Sequence, residues 1–160
     1  AAPLLAVHAP DFADDARDVK SEPCWTAMVA FESRVDAPDT LADEGAIGWA
    51  ARNSAKPGRD ADRECWVIQA NPRWSRAQLE REAENVGEEL LAHFARAVGN
   101  LPPVLFSSAH RWRYAKSEKN DAGALWDDGL RIGVCGDWLS GPRVENAFLS
   151  GLALARRIAG

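Results

Sequence analysis

No apolar run in this sequence reaches the roughly 20 residues that a bilayer-spanning helix needs, so no membrane partner is expected. No Lys or Arg precedes Arg17, and the basic lead of a secretory signal is therefore missing. Cysteine is scarce. Cys24, Cys65 and Cys135 are odd in number and far apart, which argues against both a disulfide framework and a C-x-x-C zinc site. Each is expected to behave as a small buried hydrophobe in a reducing, cytoplasmic compartment. His, Cys, Asp and Glu show no repeated spacing, so no metal site is expected. A basic stripe is lacking too: 19 Lys and Arg against 24 Asp and Glu leave a formal charge of -5. Such a chain is a poor binder of phosphate backbones, and nucleic acid is not an expected partner. Ser107, Ser108 and Ser150 have no nucleophile-elbow context, which argues against a serine hydrolase.

What is present belongs to a folded protein. The apolar fraction is 46% and the charged fraction 27%, normal for globular chains. The 160 residues suffice for one ordinary domain or for part of a two-domain protein. Seven Trp stand against five Phe and a single Tyr, an unusual balance of rings that fill cores or wall pockets for flat ligands. The chain starts at Ala1, its only Met is Met28, and residues 1–7 read as an apolar stretch already in progress. The expectation is that an N-terminal part has been removed or that the chain is processed.

Residues 1–23 read as mostly irregular, because Pro3, Pro10, Pro23 and an acidic run break any long periodicity. A strand is predicted at 24–31, with Trp25, Ala27, Val29 and Phe31 on one face. Residues 36–44 read as a polar loop. A second strand is predicted at 45–52 with Ile47, Trp49 and Ala51 on one side, followed by turn chemistry over 53–62. Residues 65–70 (CWVIQA) are apolar on both faces and predict a central strand. Ser75 and Gln78 have capping-box spacing ahead of a helical stripe of Leu79, Ala83, Val86, Leu90, Phe94 and Ala97. Asn85 and Gly87 also allow two shorter helices, and Gly99-Asn100 is a stop signal. A solvated face is the simplest reading of the acid-rich residues 80–89. Residues 104–114 predict a strand, 116–128 a polar loop, 130–135 a short buried strand, and 144–158 a final helix.

The stretch 130–159 carries the most chemistry. A strand ends at Gly136-Asp137, a loop crosses Gly141-Pro142, and a helix begins at Val144. Glycine lets backbone turn or approach a ligand closely. Asp137 offers an acceptor for sugar-type hydroxyls at the strand's carboxyl end, and a helix N-terminus offers free N–H groups and partial positive charge. This arrangement resembles the C-terminal Gly-Asp segment of two-dinucleotide-binding-domain flavoproteins. There the acid holds the ribityl chain of FAD, and the following helix points toward the pyrophosphate and isoalloxazine.

With NPRWSR (71–76), HRWRYA (110–115) and GVCGDWLSGPRVENAFLSG (133–151) in order, nearly all of the chain from Cys24 onward resembles the bacterial renalase-like family. These are FAD-dependent oxidoreductases of the flavin-containing amine-oxidase superfamily. The resemblance implies an α/β protein. Residues 1–115 would form an α+β substrate-binding domain with a mixed sheet, and 116–160 the C-terminal strand–loop–helix of a Rossmann-like FAD-binding domain. It implies oxidation of an amine or a dihydronicotinamide-like small molecule by hydride transfer to flavin, with oxygen as the final acceptor. Gly136, Asp137, Arg143, Val144 and Glu145 would lie along FAD, while Trp74, His110, Trp112 and Tyr114 would belong to the substrate-side wall. Family members open with a G-x-G-x-x-G turn for the ADP half of FAD; this sequence contains none. The chain therefore reads as the C-terminal half of such an enzyme, inactive alone and prone to self-association through an exposed strand edge.

Plainer roles stand beside these. Trp25, Trp49 and Trp66 alternate along strands as core residues do, His110 could be a hydrogen-bonded structural histidine, and Trp138 could flank a flavin or simply close its loop. The competing function is a non-catalytic, Trp-walled module for a flat or sugar-like ligand.

Overall fold

The computed structural model describes residues 1–60 and 62–160. The chain divides into two compact units, Glu22–Ala115 and a second made of Ala1–Ser21 with Lys116–Gly160. The division is not sequential: residues 1–21 group with the C-terminal segment. Helices and an antiparallel sheet together make an α/β protein.

The Glu22–Ala115 unit is built on a five-stranded sheet. Its strands are β1 (Ser21–Phe31), β2 (Thr40–Glu44), β3 (Ile47–Arg52), β4 (Glu64–Ala70) and β5 (Val104–Ser117), in the spatial order β2-β3-β4-β1-β5. The pairs β1/β4, β2/β3 and β3/β4 are antiparallel, so these neighbours do not carry the mixed strand directions expected. For β2 and β3 the reason is the link, since Gly45 and Ala46 alone join them and a parallel neighbour needs a crossover of a dozen or more residues. β4 is the middle strand of the five, where its two-faced apolar pattern predicted it.

Core residues line one side of the sheet. Trp25, Ala27, Val29 and Phe31 of β1 join Ile47, Ala50, Trp66, Ile68 and Ala70 beneath Val86, Leu90 and Phe94 of the helix α4 (Ala83–Val98). Steps of four hold those three on one helical face. Phe94 meets the Trp66 ring at 4.9 Å and the Phe31 ring at 6.3 Å. Trp49 departs from the expectation: its register shifts between Ile47 and Trp49, the core continues at Ala50, and Trp49 is left 37% exposed. A bulge changes which residues share a face, and no periodicity count anticipates it.

The helical region after β4 is two helices, α3 (Pro72–Ala77) and α4. Ser75 does not cap. Asn71 does, its side chain accepting from Trp74 N at 2.8 Å with Pro72 in the first turn. Ser75 is instead buried within α3 and accepts from Trp25 N at 3.0 Å. Gly99 ends α4 at φ +91, a left-handed position that favours glycine.

Three segments read as irregular are ordered elements. Pro10–Asp18 is a helix (α2), preceded by the short α1 (Ala2–Leu5). Pro10 occupies the first turn, where its missing N–H costs nothing, and Asp11 and Arg17 sit at the ends that suit their charges. β2 is polar because it is an edge strand exposed over most of its length. Leu125–Asp127 (β6) pairs with Ile132–Val134 (β7) as an antiparallel ribbon. β7 is half-exposed rather than buried, because that ribbon has only two strands. The final helix, α5, spans Val144–Ala159 as the apolar spacing predicted. The turn expected over 53–62 contains a single 3-10 turn at Asn53–Ala55 and includes position 61, which lies outside the described residues. Among the described residues, no helix is long and apolar enough to cross a membrane.

Candidate functional site

The Gly136 corner lies within the unit of 1–21 and 116–160. After β7 the chain turns at Gly136, where an added Cβ would meet Trp138 Cδ1 at 2.9 Å, so the Trp138 ring sits in space that only glycine leaves open. Asp137–Leu139 then form one 3-10 turn. The backbone carbonyl of Asp137 accepts from Ser140 N at 2.9 Å and from Gly141 N at 2.5 Å. Its carboxylate does not cap that turn, and Asp137 is half-buried. The backbone of Asp137 is thus held in the turn, and among the described residues its carboxylate makes no hydrogen bond.

Ser150 of α5 ties the corner down. This buried hydroxyl accepts from Gly136 N at 2.9 Å and donates to the Gly123 carbonyl. Sequence reasoning missed it. Considered only as a nucleophile, Ser150 had no partner, and its real partners are backbone groups that only folding brings near. Asn146 adds a second tie, donating to the carbonyls of Ser140 at 3.2 Å and Gly141 at 3.1 Å. Arg143 stands at the N-cap of α5 without a side-chain cap. Arg143, Val144 and Glu145 are exposed, Val144 to 90%. The first N–H groups of α5 are left without a side-chain cap. Phe148 and Leu149 are exposed as well.

The second set of expected residues lies in the Glu22–Ala115 unit and is split by the sheet. Ala109 packs toward α4, where a Cβ at Gly87 would meet its methyl at 3.2 Å. Strand alternation groups Arg111 and Arg113 with Ala109, and Trp112 and Tyr114 with His110, although His110 also borders the cleft beside Ala109 and Arg111. His110 and Trp112 meet edge-to-face at 4.5 Å, and all three of that group are exposed. Trp74 is apart from them. It packs on the core from the helical side and meets His93 edge-on at 5.9 Å.

Arginines of β5 work on the helical side. Arg113 binds Glu80 with both terminal nitrogens, and Arg111 donates to the Leu79 carbonyl at 2.5 Å while its guanidinium lies 5.6 Å from the Trp25 ring centre. The hydrogen bond from Arg113 holds the Glu80 carboxyl below the usual glutamate range. Glu80 is thus engaged with β5 and not simply part of a solvated helix face.

The cysteines differ from the expectation. Cys135 is exposed and Cys24 and Cys65 are half-buried, since all three lie on strands or strand ends with one side open. Burial pushes the Cys24 thiol up, partly offset by its hydrogen bond with Thr26. Among the described residues, no group of three or more His, Cys, Asp or Glu could hold a metal ion. No protein-family model matches the chain.

Proposed function

We propose that this chain forms part of an FAD-dependent oxidoreductase of the renalase-like, amine-oxidase type. The observation that carries the reading is the Gly136-Asp137 corner: a half-buried carboxylate at the start of a 3-10 turn, set ahead of a long helix whose N-terminus is exposed and lacks a side-chain cap. Asp137 suits the hydroxyls of a ribityl chain, and the backbone N–H groups after Arg143 suit a pyrophosphate. Gly136 and Val144 add no polar side chain that would compete for either. Glu145 has the same charge sign as phosphate, so it fits the hydroxyl side of the cofactor better.

Flavin, when bound, would accept a hydride equivalent from an amine or dihydronicotinamide-like substrate; the protein's task is then to orient the donor and exclude water. His110, Trp112 and Tyr114 offer an aromatic surface of the kind that packs a flat substrate. The missing G-x-G-x-x-G means that the ADP half of the cofactor needs residues outside these 160.

Asp137→Ala, made in the product of the complete reading frame, tests this. Losing one charge-assisted hydrogen bond should weaken flavin retention by about one to two orders of magnitude. Apo-protein melting should barely move, because among the described residues the carboxylate makes no hydrogen bond or ion pair. Unchanged flavin retention with a large drop in melting temperature would make Asp137 a structural residue and sink the assignment.

A further inference from the structure

A cleft of about 360 Å³ opens in the Glu22–Ala115 unit, between the start of α4 and strand β5. Trp25, Glu80, Glu82, Ala83, Ala109 and Arg111 line it, with Arg81 and His110 also contributing. Its charges are not equally available. Both carboxylate oxygens of Glu80 are taken by Arg113, at 2.7 and 2.8 Å. Arg81 is engaged by Gln78 at 2.8 Å and Glu89 at 2.6 Å. Arg111 spends one terminal nitrogen on the Leu79 carbonyl and lies 3.4 Å from Glu80, which leaves donors of its fork unused. Glu82 makes no ion pair among the described residues and is exposed. Among the described residues Arg111 and Glu82 are therefore the charged side chains left for a guest, with Ala83 and Ala109 also in the lining and His110 beside them.

We infer that this cleft binds a small zwitterion of the free amino-acid class, its carboxylate on Arg111 and its ammonium on Glu82. The Trp25 ring, whose centre lies 5.6 Å from the Arg111 guanidinium carbon, supports this role by adding a cation–π contact that helps hold the guanidinium at the cleft. A simple anion would be repelled by Glu82, and a simple amine by Arg111. Only a ligand carrying both charges satisfies both residues. The volume exceeds that of one amino acid and leaves room for an aliphatic side chain. None of this depends on the flavin reading, since no residue of the Gly136 corner takes part.

Calorimetric titration of the 160-residue protein with L-leucine tests the inference, alongside 4-methylpentanoate (acid only) and 3-methylbutylamine (amine only). L-leucine should bind, and each one-charge analogue should bind at least about tenfold more weakly, the loss expected for one charge-assisted hydrogen bond. Glu82→Gln and Arg111→Gln should each cost L-leucine a similar factor. Glu82 is exposed, so its variant tests the site even if Arg111→Gln folds poorly. Equal binding of 4-methylpentanoate would make this an anion site and overturn the zwitterion assignment. No L-leucine heat at about 10 mM, beyond weak millimolar affinity, would overturn the site altogether.

Discussion

Arg113 holds Glu80 in a two-pronged grip, Nη1 to Oε1 at 2.7 Å and Nη2 to Oε2 at 2.8 Å, and so fastens the connector between α3 and α4 to strand β5. The strand presents its arginines to this connector and its His110, Trp112 and Tyr114 to the opposite side. One hydrogen-bonded ion pair therefore anchors the strand whose other face carries the candidate aromatic wall.

The grip should be sensitive to acid. Glu80 titrates below the ordinary glutamate value of 4.5, because the bond from Arg113 favours its charged form. A carboxyl depressed in the folded state contributes stability that is present above its unfolded pKa and lost as pH falls through the folded one. Both side chains are well exposed, so the contribution is small and screened by salt. Carboxyl NMR should show a low titration midpoint for Glu80 that moves toward the ordinary value in Arg113→Met or in high salt. A midpoint at or above 4.5 would contradict the grip.

Arg52 should be the costliest charged residue to remove. It is 2% exposed, donates to Asp39 at 2.7 Å, to Glu64, and to the carbonyls of Val35 at 3.1 Å and Ala37 at 2.7 Å, and lies over Trp66 at 4.7 Å. Glu64 in turn accepts from Val35 N at 3.1 Å and Trp66 Nε1 at 2.7 Å. Deleting one member of a buried pair strands the other, at about 3–5 kcal/mol. Urea unfolding of Arg52→Ala should show a loss of that size, and Arg52→Lys should recover little because a single ammonium cannot span these acceptors. A change under about 1 kcal/mol would mean that the network is not the anchor it looks like.

Ser150→Ala removes the hydroxyl that joins Gly136 N to the Gly123 carbonyl. Leaving such partners unmet costs about 1–3 kcal/mol. Thermal melting should fall accordingly, and amide exchange at Gly136 should accelerate. Protection at Gly136 equal to wild type would show that the corner is held by something else.

The 160-residue chain should purify colourless, because it lacks the glycine motif for the ADP half of FAD. An absorption spectrum decides it. A yellow protein at stoichiometric flavin would mean that the corner over 136–145 holds flavin unaided or across an oligomer.

Local pattern made much of the architecture legible. Alternation along 24–31, the two-faced apolar run at 65–70, the Val86-Leu90-Phe94 stripe and the 144–158 periodicity each depend on neighbours a few residues away, and each became the expected element. Proline misled at Pro10, where a helix start and a helix break look alike without a view of the turn that follows. Charge misled at Thr40–Glu44, because an edge strand is free to be polar.

The rest was decided by tertiary structure, since it depends on groups far apart in the chain. The bulge that turns Trp49 outward exists only against β4. Ser75 reaches across 50 positions to Trp25 N, and Glu80 across 33 to Arg113. Ser150 braces Gly136 and Gly123, and Arg52 gathers two carbonyls and two carboxylates around itself. Side-chain type and spacing determine which face a residue takes on its own helix or strand. Which buried donor meets which acceptor is fixed only when packing expels water and leaves each polar group to find a partner inside the fold.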